Sequence, residues 1–106
     1  DKDEKEKIIE NIKSDSDILE VVFDIEGRTI NLTLTVIPEL LVSDAKIMGK
    51  EILAYFSSED LSYYSININF VKEDKSLDNF PISGYKHYSN KDISWTKDRE
   101  VTGNEN

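Results

Sequence analysis

The chain has no cysteine among its 106 residues. That excludes a disulfide-stapled scaffold, a thiolate metal site and a cysteine nucleophile. It has one histidine, His87, which leaves little for a zinc site or for base-assisted nucleophilic catalysis. Its four glycines stand at 27, 49, 84 and 103, too scattered for a phosphate-cradling loop. The two prolines, Pro38 and Pro81, mark breaks rather than a proline-rich linker. No apolar run approaches the ~20 residues of a membrane-spanning helix. Positive charge is also short: 13 basic against 22 acidic residues give a net charge of −9. A general binder of phosphate backbones needs the opposite balance.

The acidity is uneven. Residues 1–10 carry five acids and three bases, residues 11–60 ten and four, and residues 61–106 seven and six. The first two-thirds are therefore acidic, and the last third is nearly neutral. A length near ~100 residues fits one domain with a real core. The expected organisation is a charged tether over 1–7, a single domain over 8–98 and a frayed tail over 99–106, with Val101–Asn106 the loosest part. The seven charged residues from Asp1 to Lys7 read as a solvated tether or a frayed helix start, and the absence of an initiating methionine suggests a processed or excised fragment, with no signal peptide visible in it.

Periodicity supplies the elements. Ile8, Ile9 and Ile12 share a stripe and predict a short helix over 3–13. Leu19, Val21, Phe23 and Ile25 alternate with Glu20, Val22, Asp24 and Glu26, the pattern of a half-buried strand. Gly27 permits a tight turn, after which Ile30, Leu32, Leu34 and Val36 alternate with Thr29, Asn31, Thr33 and Thr35. The two runs make an antiparallel hairpin that Pro38 terminates. Ser43 is the candidate N-cap of a second helix, striped by Ala45, Met48, Ile52 and Phe56 and ending near Ser57 and Ser58. Gly49 within it predicts close approach to the sheet. Tyr64, Ile66, Ile68 and Phe70 alternate with Ser65, Asn67 and Asn69 as a third strand. Lys72–Asn79 reads as a polar loop, the stretch from Phe80 as irregular and aromatic-rich, and Ile93–Thr96 as a short fourth strand.

These elements predict an α+β fold: a two-layer sandwich with a mainly antiparallel sheet of three to four strands, two helices on one face, in the order α-β-β-α-β-(β). The expected core is Ile8, Ile12, Leu19, Val21, Phe23, Ile30, Leu32, Leu34, Val36, Met48, Ile52, Phe56, Ile66, Ile68 and Phe70.

Chemistry is sparse. Eleven serines surround the lone His87, but no Gly-x-Ser-x-Gly turn exposes one. The run Ser14-Asp15-Ser16-Asp17 suggests a calcium loop, yet the sixth and twelfth positions from Asp15 are Glu20 and Glu26, so the required glycine is missing. A helix-to-strand turn is the better reading. Lys86 and Lys91 among Tyr85, Tyr88 and Trp95 suggest base stacking, against a repulsive overall charge. No catalytic residue, metal, cofactor or nucleic acid is expected.

Two surfaces stand out. One is the uncharged polar strand face of Thr29, Asn31, Thr33, Thr35, Ser65, Asn67 and Asn69, since neutral groups are cheaper to bury than charges. The other is the cluster Tyr85, Tyr88 and Trp95, residue types that concentrate in interface hot spots. Together they predict a non-enzymatic binding or accessory domain that meets a protein partner.

The element order over residues 3–72 resembles that of small bacterial extracytoplasmic modules such as the BON domain. It departs from them where Ser62-Tyr63-Tyr64 replaces a Gly-Val pair and where residues 80–101 have no counterpart. The composition, rich in Ile, Lys and Asn, is similar to the mature part of a small Gram-positive lipoprotein. The resemblance implies an extracytoplasmic setting, anchored at the membrane through a removed N-terminal segment, with a cytoplasmic one as the rival. The functional rivals are an acidic inhibitor or nucleic-acid mimic, built on Asp15, Asp17, Glu20, Asp24, Glu26, Asp44 and Glu51, and an enzyme using two convergent carboxylates.

Overall fold

The computed structural model describes residues 2–76 and 79–96. The chain runs α1 (Lys2–Lys13), β1 (Ile18–Glu26), β2 (Thr29–Val36), α2 (Val42–Leu53), α3 (Ser58–Tyr63), β3 (Ser65–Lys72), β4 (Ile82–Lys86) and β5 (Ser94–Trp95). The charged run at the start is thus helical from Lys2, continuous with the Ile8 and Ile12 stripe. The expected frayed tail and the end of the expected domain lie outside the described residues.

The fold is α+β, with one five-stranded sheet in the order β1-β2-β3-β4-β5. Three pairings are antiparallel, and β2–β3 is parallel. The parallel pair follows from the connection, because residues 37–64 carry α2 and α3 and return the chain to the end where β2 began. β1 and β2 meet through a two-residue turn. Gly27 has φ 61° at its first central position, which is the place that a type II′ turn reserves for glycine.

Alternation sorts the two faces. Ile30, Leu32, Leu34 and Val36 are buried on one side with Ile66, Ile68, Phe70 and Ile82, against Ile8 and Ile12 of α1 and Ala45, Met48 and Ile52 of α2. The helices therefore cover one face of the sheet.

Several expectations need correction. The sheet has five strands, not three or four, because 82–86 is a strand. Gly84 on its covered side has no side chain and so breaks the apolar alternation. Leu19 is not core: it is 49% exposed, while Ile18 is 8% exposed. The pairing of β1 with β2 shifts between Ile18 and Glu20, and this irregularity turns the inward position from Leu19 to Ile18. Val21 and Phe23 are half-buried against the core rather than inside it.

Ser43 is not the N-cap of α2. Leu41 holds that position, and its N–H donates to Asp44 Oδ2 at 3.3 Å. The helix ends at Leu53, not near Ser57, and Ser57 instead caps α3, its Oγ accepting the Asp60 N–H at 3.1 Å. Nothing in α3 is buried, so hydrophobic spacing gave no sign of it.

Two lysines lie on the covered side. Lys72 Nζ donates to Pro38 O at 2.7 Å and Leu40 O at 2.6 Å, and sits 4.0 Å from the Phe80 ring centre. Lys86 Nζ donates to Leu61 O at 2.9 Å and His87 O at 3.3 Å. The two side chains satisfy carbonyls before α2 and in α3, which ties the connection to the sheet.

Candidate functional site

The face opposite the helices is built by strand register. One row crosses all five strands: Asp24, Asn31, Asn67, Tyr85 and Ser94. The next row holds Val22, Thr33, Asn69 and Ser83. Thr35 pairs with Glu20 on one side and Val71 on the other, and Thr29 with Glu26 and Ser65. Glu20, Asp24 and Glu26 all come from β1, so the rows across β2 to β5 carry no formal charge.

Side-chain bonds order this face. Asn67 Nδ2 donates to Asn31 Oδ1 at 2.8 Å. Ser83 Oγ donates to Asn69 Oδ1 at 2.6 Å, and Asn69 Nδ2 to Leu32 O at 3.3 Å. Each side-chain amide has two N–H donors and two carbonyl lone pairs, so single bonds leave capacity for a partner. The side chains are half-buried and held in place, which reduces the entropy lost on contact.

At the hairpin end, the Arg28 guanidinium lies 4.4 Å from the Tyr63 ring centre and 4.3 Å from that of Tyr88. Arg28 Nε also donates to Tyr63 O at 2.9 Å. The Tyr88 ring centre is 4.2 Å from that of His87, and His87 is 6.4 Å from Tyr85. Ser65, expected on the open face, is buried, and its Oγ accepts the Tyr88 N–H at 3.1 Å. Tyr63, Tyr85 and Tyr88 remain exposed. The result is a strip of aromatic rings, spaced by one cation, beside the amide rows.

The expected cluster of Tyr85, Tyr88 and Trp95 divides. Trp95 pairs with Gly84, on the covered face, whereas Tyr85 faces the other way. The Trp95 ring is packed against the core, with its centre 6.2 Å from that of Phe70. It occupies a slot floored by two glycines: a Cβ on Gly49 would lie 2.9 Å from Trp95 Cη2, and one on Gly84 2.8 Å from Cζ3. Gly49 of α2 thus allows close approach, as expected, but to the indole of β5. Arg28 and Tyr63 were missed. Their place beside Tyr88 depends on the Thr29–Ser65 register, which the residue pattern does not state.

The other candidates fall elsewhere. Asp15 Oδ1 accepts the Asp17 N–H at 2.9 Å, closing a turn between α1 and β1. His87 Nδ1 accepts the Ser89 N–H at 3.1 Å and lies 2.8 Å from Ser89 Oγ. Glu4 and Asp60 both line a depression of about 130 Å³ beside Lys7 and Asn11, at the outer surface of the helices. Among the described residues, no group of three or more acids and histidines is placed to hold a metal ion. The acids proposed for mimicry split between surfaces. Glu20, Asp24 and Glu26 are on the open sheet face, while Asp44 and Glu51 are exposed on α2, across the molecule.

Comparison with family models, with curated proteins and with solved structures finds no match.

Proposed function

We propose that the chain is a non-enzymatic binding or accessory module that meets a protein partner through its open sheet face. One observation carries the reading. The helical layer covers one face of the sheet, while the other presents ordered, uncharged side chains across β2 to β5 in a protein of net charge −9. Burying these neutral groups costs less than burying charges, and their spare donors and acceptors can be met by a partner. The contact residues are Asn31, Thr33, Thr35, Asn67, Asn69, Tyr85 and Tyr88, joined by Arg28 and Tyr63. Exposed tyrosines beside a held arginine suit the anchoring role that these residue types play in interfaces. Trp95, which pairs with Gly84 on the covered face, is left out of the proposed contact.

The proposal includes an extracytoplasmic setting, supported by the chain's lipoprotein-like composition. A signal or lipobox upstream in the intact gene supports this part, and a methionine immediately upstream without either contradicts it.

The binding claim is tested by recovering partners from the producing cells. An Asn67→Glu, Tyr85→Ala variant should lose the proteins that the parent retains, whereas Glu51→Ala on α2 should keep them. Equal recovery by all three overturns the reading.

A further inference from the structure

Among the described residues β1 has a neighbouring strand on one side only, so its edge from Glu20 to Glu26 is open to pairing. Edges are commonly blunted by charged side chains, lysine above all, by proline, by bulges or by a short length. This one contains neither lysine nor proline, and its one irregularity lies at its start, between Ile18 and Glu20. Its polarity is instead one-signed: Glu20, Asp24 and Glu26 line the open-face side, around Val22, which is 51% exposed. On the helix-facing side stand Val21, Phe23 and Ile25, flanked by Lys5 of α1, whose Nζ is 5.4 Å from the Phe23 ring centre.

We propose that the edge of β1 accepts an extended segment of another protein as a sixth strand, with Lys or Arg on one side and apolar residues on the other. Strand addition satisfies the free backbone groups, and alternate side chains give specificity. Partner residues on the open-face side would stand beside Glu20, Asp24 and Glu26, and basic ones complement them. Those on the other side would extend the apolar layer beside Phe23 and Ile25. A second copy of this chain does not fit. Antiparallel self-pairing centred on Val22 sets Glu20 against Asp24 twice, and centred on Phe23 it sets Glu20 against Glu26 twice, like charges facing each other in both registers. The inference goes beyond the face contact proposed above, because it needs the backbone edge and not the amide rows.

The hairpin fixes which groups are free. In a two-residue hairpin the pair that flanks the turn, Glu26–Thr29, exchanges hydrogen bonds, and bonded pairs then alternate along the ladder. Asp24, Val22 and Glu20 therefore bond toward β2, and the N–H groups of Val21, Phe23 and Ile25 point out.

The test uses the full chain and a capped seven-residue peptide of alternating Lys and Val, read by residue-resolved amide hydrogen exchange. At saturating peptide, the amides of Val21, Phe23 and Ile25 should slow at least tenfold. Glu20→Lys with Asp24→Lys, both at exposed sites, should weaken binding at least tenfold. A peptide N-methylated at every backbone amide, which blocks both of its edges, should give no protection. Absence of β1 protection, or equal protection by the methylated peptide, overturns the proposal. So does a dimer in sedimentation that protects β1 without peptide. If β1 protection fails while the Asn67→Glu, Tyr85→Ala variant still loses its partners, the edge inference falls and the face reading stands.

Discussion

Substituting Gly49 by alanine should have opposite effects depending on whether Trp95 is present. The added methyl would lie 2.9 Å from Trp95 Cη2 and 3.0 Å from Cζ2, with Ile93 Cδ1 farther off at 3.4 Å. The ring cannot retreat freely, because its other edge meets Gly84, where a Cβ would be 2.8 Å from Cζ3. Overpacking of this kind costs about 1–3 kcal/mol. Against it stands the helix-propensity gain of alanine over an interior glycine, about 0.8–1 kcal/mol. Gly49→Ala alone should therefore destabilise by about 0–2 kcal/mol. With Trp95→Ala the crowding vanishes and the propensity gain remains, so the same substitution should stabilise by about 0.5–1 kcal/mol. Urea unfolding followed by far-ultraviolet circular dichroism across the four-protein cycle reads the coupling without needing the indole. A stabilising Gly49→Ala of equal size in both backgrounds would show that Trp95 does not fill the slot. It would then be free to serve as a surface anchor.

Two further predictions test the register of β1 and the buried amines. Ile18→Ala should cost about 2–4 kcal/mol, whereas Leu19→Ser should stay within about 0.5 kcal/mol, by denaturant midpoint; the reverse order would remove the irregularity between Ile18 and Glu20. Burial holds the pKa of Lys86 below its ordinary 10.5, and that of Lys72 as well, although Glu39 pulls the latter back up. In that window the unfolded chain binds more protons than the folded one, so folding stability rises with pH. The penalty for the buried charge is fully present below the lowered pKa and disappears as pH climbs through it toward 10.5. The stability of the parent relative to Lys86→Met should thus increase across the alkaline range, in urea midpoints measured at each pH. A flat or falling difference contradicts it.

The parts of the fold legible in the sequence are those where side chains alternate without interruption. From Thr29 to Val36, every second residue is apolar and buried, and the residue pattern alone sorts the two faces. The same holds for Ile66, Ile68 and Phe70. Legibility fails where geometry is made by something other than a side-chain period. The irregularity at Ile18–Glu20 moves one inward position without changing composition. In β4 the inward position is Gly84, empty so that Trp95 can enter, and an empty position does not read as core. Trp95 itself is placed by two glycines 35 positions apart, a fact that exists only once α2 and β4 face each other. The candidate face was half legible: its amide and threonine rows follow from alternation, but the separation of Tyr85 from Trp95 and the recruitment of Arg28 and Tyr63 follow from strand order.

The central claim, that contact is made on the sheet face and not on the helices, is tested most directly by site-specific photocrosslinking in the producing cells. A photoreactive residue placed at Thr33 or Tyr85 should form adducts with a partner protein, and one placed at Glu51 on α2 should form none. Adducts from position 51 with none from 33 or 85 would put the contact on the helical side and contradict the account.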